Sequence, residues 1–226
     1  MDADLIIFGD SHAIACAEGA RQHGLNPAFF YASGLAWHGP RFRFHRRHGL
    51  TSPRPKLLGR IQNLHEQLGT DDIFSTGLPI IASIGYHLGQ IAKPLSWNNH
   101  APCSGDLEAG GLFLSDDFLT EYVMNFRKKH IEILVALSRR ASVIVVTPPP
   151  FQAPDMFWRV REIITRELEV NGVNVFKAER IAENQESGYL DDLAEADGVH
   201  GNAKYGEVLI NCLIKDNALD VVGSQK

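Results

Sequence analysis

Five short apolar runs, each followed by a stretch of helical periodicity, restrict this chain to an α/β architecture. The runs fall at 5–8, 28–31, 79–85, 142–147 and 174–176. The clearest contains Val143-Ile144-Val145-Val146, whose β-branched side chains suit a pleated strand. A strand with one wet face alternates apolar and polar residues. Runs without that alternation are those of parallel strands covered on both faces. Helical patterns occupy 11–23, 56–68, 116–140, 153–171 and 202–215; in the third, Phe118, Tyr122, Phe126, Ile133 and Leu137 recur near the helical period. Asp116 and Asp117 stand where its N-terminal cap is expected. Right-handed crossovers then give a three-layer α/β/α sandwich around a five-stranded, mainly parallel sheet.

The 226 residues suffice for one domain, expected over 1–219, with 220–226 as a flexible tail. No run approaches the roughly 18 apolar residues of a membrane span. The opening Met1-Asp2-Ala3-Asp4 lacks the cationic region of a secretory leader. Cys16, Cys103 and Cys212 are odd in number and far apart, which argues against a disulfide framework or a Cys-x-x-Cys metal knuckle. A cytoplasmic protein is the expectation.

Chemistry concentrates at the two ends. The first run stops at Gly9 and continues Asp10-Ser11-His12, which places a hydroxyl at the carboxyl edge of the sheet and at a helix start. Exposed N–H groups there favour negative charge, so an oxyanion is welcome. The plainer reading makes Ser11 or Asp10 a helix cap. Near the other end, Asp197 and His200 lie three positions apart, just ahead of the last helix. Serine, histidine and aspartate are the parts of a nucleophilic relay: attack, proton transfer and orientation of the imidazole. Taken alone, Asp-x-x-His is an ordinary loop sequence; paired with Gly-Asp-Ser at the first strand it is far less ordinary.

With these motifs in this order the chain resembles the SGNH hydrolases, the GDSL esterase/lipase family, across essentially its whole length. The resemblance implies a flavodoxin-like fold with Ser11 as nucleophile, His200 as base and Asp197 orienting it. It implies an oxyanion hole built from the backbone N–H of Ser11, that of Gly34 after the second strand, and an asparagine after the third. The sequence departs at that last position: Gly85-Tyr86-His87 stands where Gly-x-Asn belongs. A neutral imidazole still donates one N–H, so His87 is the expected substitute. The alternatives are Asn98 or Asn99 folding in from the next loop, or loss of activity. His12 replaces the family's common leucine; it inclines the substrate towards carbohydrate esters, while a packed or capping role is the plainer account.

Two long connections, 34–55 and 89–115, lack periodicity and leave from strand C-termini, where open α/β sheets hold ligands. In the first, Arg41, Arg43, Arg46 and Arg47 alternate with Phe42, Phe44, His45 and His48, and residues 19–65 hold eight Lys or Arg without one acid. Three readings stand: a solvated loop paired with acidic surface, an electropositive rim for an anionic substrate, or a nucleic-acid contact, the last disfavoured by the net charge of −5. Asp10, Trp37, Arg41, Arg43 and Trp97 are the candidate substrate-binding residues. No acid lies near His45 and His48 in sequence, so no metal site is expected, and no phosphate loop or dinucleotide fingerprint implies a cofactor. The expected activity is hydrolysis of a short acyl ester, acetyl included, on a carbohydrate or another small alcohol. The alternatives are an O-acyltransferase with the same triad and a catalytically impaired binding protein.

Overall fold

The computed structural model describes residues 2–37, 41–92, 113–151, 155–181 and 190–219. Its main sheet has five parallel strands: β1 (Leu5–Gly9), β2 (Pro27–Tyr31), β5 (Ile80–Ser83), β6 (Val143–Val146) and β7 (Asn174–Phe176). Their order is β2-β1-β5-β6-β7, the flavodoxin-like arrangement whose direction of winding reverses between β1 and β5. Six helices accompany them: α1 (His12–Gln22), α2 (Pro55–Leu68), α3 (Leu88–Ile91), α4 (Asp116–Ser138), α5 (Asp155–Val170) and α6 (Ala203–Lys215).

Period-two alternation sorts each strand's side chains between two cores. Ile6, Phe8, Ile80, Ala82, Val143 and Val145 face a layer containing α2, α4 and α5. Leu5, Ile7, Ile81, Ile144 and Val146 face α1 and α6. Both faces are covered, which is why the strands read as unbroken apolar runs. The edge strand β2 is blunted by Gln67, whose side-chain amide accepts from Phe29 N–H at 2.8 Å and donates to Phe29 C=O at 3.0 Å.

Two sequence expectations are corrected. The connection at 34–55 contains a two-stranded antiparallel hairpin, β3 (Arg43–His45) with β4 (Gly49–Thr51). Its three-residue strands are too short to show a period. Helix α4 is capped by Ser115, whose hydroxyl accepts from Phe118 N–H at 3.3 Å; Asp116 and Asp117 sit in the first turn, where the helix dipole favours them. Among the described residues no helix is long and apolar enough to cross a membrane.

Candidate active site

The chain passes from β1 into α1 with only Asp10 and Ser11 between. Ser11 takes the N-cap position, yet its hydroxyl makes no capping bond. Asp10 caps instead, accepting through Oδ1 from His12 N–H at 2.9 Å and from Ser83 Oγ at 3.1 Å. That leaves Ser11 Oγ to His200 Nε2, 2.7 Å away.

His200 belongs to a tight turn between Leu193 and α6. Glu195 N–H donates to His200 C=O at 2.8 Å, Asn202 N–H to Leu193 C=O at 2.9 Å, and Ala194 pairs with Gly201. Asp197 Oδ1 accepts from Val199 N–H (2.9 Å) and His200 N–H (3.0 Å), while its Oδ2 lies 2.5 Å from His200 Nδ1. The backbone N–H of His200, then its ring, hold the Asp197 carboxyl well below the usual carboxylate range. An anion at Nδ1 keeps the ring proton there and leaves Nε2 as the acceptor facing Ser11.

The third cluster gathers around His87. Gly34 opens a 3₁₀ turn after β2, and a Cβ there would lie 2.5 Å from both Nδ1 and Cε1 of His87, so only glycine allows this approach. His87 itself is left-handed (φ 38°, ψ 53°), a conformation that costs an L-residue about 1–2 kcal/mol. Its Nε2 is 3.5 Å from Asp10 Oδ2. Burial pushes its pKa down, Asp10 opposes this, and Arg127 and His12 add to it. His12, packed at 5.0 Å between ring centroids from His200, is likewise lowered by burial.

A cavity of about 470 Å³ joins these groups. Ser11, His200, Gly34 and His87 line it together with Asp10 and His12, and Pro148, Pro149, Phe151 and Phe157 supply an apolar wall. Neither the N–H of Ser11 nor that of Gly34 donates to an acceptor among the described residues. The sheet edge thus assembles a hydroxyl, an imidazole backed by a carboxylate, and N–H donors on one cavity. That set can perform nucleophilic acyl transfer.

Other sequence candidates lie elsewhere. Trp37 does not line the cavity: it is 1 % exposed, stacked on Phe42 at 3.9 Å, with Nε1 donating to Gly9 C=O (3.1 Å) and Ala32 C=O (3.0 Å). Its bulk closes the core beneath the 34–55 connection, and its N–H finds partners there. Arg41 donates to Leu35 C=O, and Arg43 projects from β3; neither lines the cavity. Arg47 pairs with Asp71 at 2.7 Å, and His48 Nδ1 is 2.6 Å from the Asp71 carbonyl. The basic loop is therefore partly neutralised by acidic surface. Trp97, Asn98, Asn99 and Cys103 lie outside the described residues. Among the described residues no cluster of His, Cys, Asp and Glu is arranged to hold a metal ion.

Sequence reasoning missed Arg127. It is fully buried on α4, with Nε donating to Tyr86 C=O and Nη2 to His87 C=O, both at 3.1 Å. Burial pushes its pKa down to about 10. The available signal was a cation on an apolar helix stripe, four residues after Val123 and seven before Leu134.

No protein-family model matches the chain, and no curated protein matches it. Among solved structures it is similar to a lipase/acylhydrolase from Enterococcus faecalis (TM-score 0.45, 11% identity, 98% of this chain and 100% of that one). It is also similar to an acetylxylan esterase from Geobacillus stearothermophilus (0.45, 12%, 98% and 96%). A third similarity is to a GDSL-like lipase from Bacteroides thetaiotaomicron (0.41, 11%, 95% and 86%).

Proposed function

We propose that this protein is a serine esterase of the SGNH type, acting on a short acyl ester. The observation that carries the reading is the unbroken chain of contacts from Ser11 Oγ to His200 Nε2 (2.7 Å) and from His200 Nδ1 to Asp197 Oδ2 (2.5 Å). In this mechanism Ser11 Oγ attacks the ester carbonyl as its proton passes to His200 Nε2. Asp197, anionic through the working pH range, stabilises the imidazolium. The N–H groups of Ser11 and Gly34 and the His87 imidazole receive the oxyanion. Asp10, whose Oδ2 lies 3.5 Å from His87 Nε2, and His87 itself border the same cavity.

Collapse of the intermediate breaks the bond to the alcohol, which takes its proton from His200. Water, activated by the same ring, then releases the acid from Ser11. The cavity's apolar wall of Pro148, Phe151 and Phe157 suits a short acyl chain, and acetyl esters of carbohydrates are the first substrates to try.

A fluorophosphonate probe should label the wild type at one site and leave Ser11→Ala unlabelled. Turnover of p-nitrophenyl acetate should fall at least about 1,000-fold in Ser11→Ala and in His200→Ala. A folded wild type that takes no label and turns over no ester would be a binding protein instead.

A further inference from the structure

We infer that Arg127 is a positioning residue for the oxyanion donor: its guanidinium clamps the carbonyls of Tyr86 and His87 and so holds the His87 imidazole at the cavity. The inference rests on the reading of His87 as that donor. It begins from a charge in an unfavourable place. Arg127 is 0 % exposed in the middle of α4, and among the described residues no carboxylate pairs with it. A buried, unpaired guanidinium is costly, and its site must use the charge or the fork geometry.

The fork accounts for it. Nε and Nη2 are adjacent donors on one rigid plane, and they engage two consecutive carbonyls, those of Tyr86 and His87, each at 3.1 Å. Those carbonyls flank the strained part of the turn after β5, where Gly85 has φ 100° and His87 has φ 38°. A left-handed L-residue persists only where its surroundings over-determine it. Here Arg127 holds the backbone from one side, while Gly34 abuts the ring from the other. Where the related pattern places asparagine, this chain carries a bulkier ring, and the clamp fixes where that ring points. The guanidinium also works with burial to keep His87 neutral, against the pull of Asp10 and beside His12.

The role differs from a purely structural one in being exerted through His87, so a double-mutant cycle tests it. Arg127→Met should lower kcat for p-nitrophenyl acetate at least about 10-fold, with KM within about 3-fold, since a misdirected donor weakens only the transition state. Arg127→Lys, which keeps the charge and loses the fork, should behave nearly the same. In a His87→Ala background the Arg127→Met change should cost less than about 2-fold, there being no donor left to aim. Equal losses in both backgrounds, or no loss in either, would overturn the inference.

A second readout does not depend on turnover. In protein carrying ¹³C,¹⁵N-labelled histidine, the His87 ring, assigned by its absence from His87→Ala, should titrate at higher pH in Arg127→Met, because a nearby cation has gone. An unmoved His87 titration in folded Arg127→Met overturns the clamp even where no ester is turned over. A wild type without esterase activity, in which this titration moves as expected, overturns the proposed function and leaves the clamp standing.

Discussion

Two imidazoles face the same cavity in opposite settings, and that contrast separates their roles. His200 is backed by the Asp197 carboxylate, which stabilises a positive ring and so suits proton transfer. His87 is buried, with Arg127 behind its carbonyl, and burial holds it neutral. A neutral ring offers one N–H donor, where an asparagine amide offers two. His87→Ala should therefore lower kcat by roughly 100-fold, the usual loss for one oxyanion donor, while His87→Asn should keep most of it. Equal turnover in wild type and both variants removes His87 from the mechanism. The motif at Gly9-Asp10-Ser11 was legible because its residue types and spacing are local. Asp10's service as the cap, which leaves the Ser11 hydroxyl for His200, was not, because it depends on Ser83 from another strand.

Helices α1 and α6 are the elements that bring Ser11 and His200 together. One starts beside Ser11; the other starts three residues after His200. They cross where Gly19 meets Gly206: a Cβ on Gly206 would lie 1.8 Å from Ala15 O, and one on Gly19 would lie 2.1 Å from Gly206 C and O. Such contact is possible only between bare backbones, and it sets how near the two helix starts can come. Gly206→Ala should force the helices apart. We expect a loss of about 1–3 kcal/mol in stability, as for overpacking elsewhere, and a fall in kcat from the lengthened Ser11–His200 contact. Gly59→Ala on α2 is the control, since a Cβ there meets nothing within 4 Å. It should raise stability by up to about 1 kcal/mol in urea denaturation without changing turnover. Should Gly206→Ala melt and react like wild type, the crossing does not set the site.

At the scale of the whole molecule, burial of neutral histidines ties stability to pH. His12, His65 and His87 all have folded pKa values lowered from 6.5 by desolvation. In the unfolded chain they protonate as pH drops through that value, while in the folded chain they resist. The unfolded state then binds more protons, so stability is complete above pH 6.5 and declines below it. The melting temperature should fall between pH 7.5 and 5.5, and His12→Gln should make that fall shallower. An unchanged fall in His12→Gln would show that His12 titrates alike in both states. What the sequence determined by itself was whatever rests on neighbours along the chain: continuous apolar runs fix buried parallel strands, helical periods fix the crossovers, and Asp197 reaches His200 within a single turn. Tertiary structure alone decided the rest. It put Trp37 into the core, drew the basic loop onto Asp71, and set a buried Arg127 behind His87 across 40 residues of chain. The reason is that whether an indole packs or binds, and whether a charge is screened or clamped, is settled by which surfaces meet when both faces of the sheet are closed.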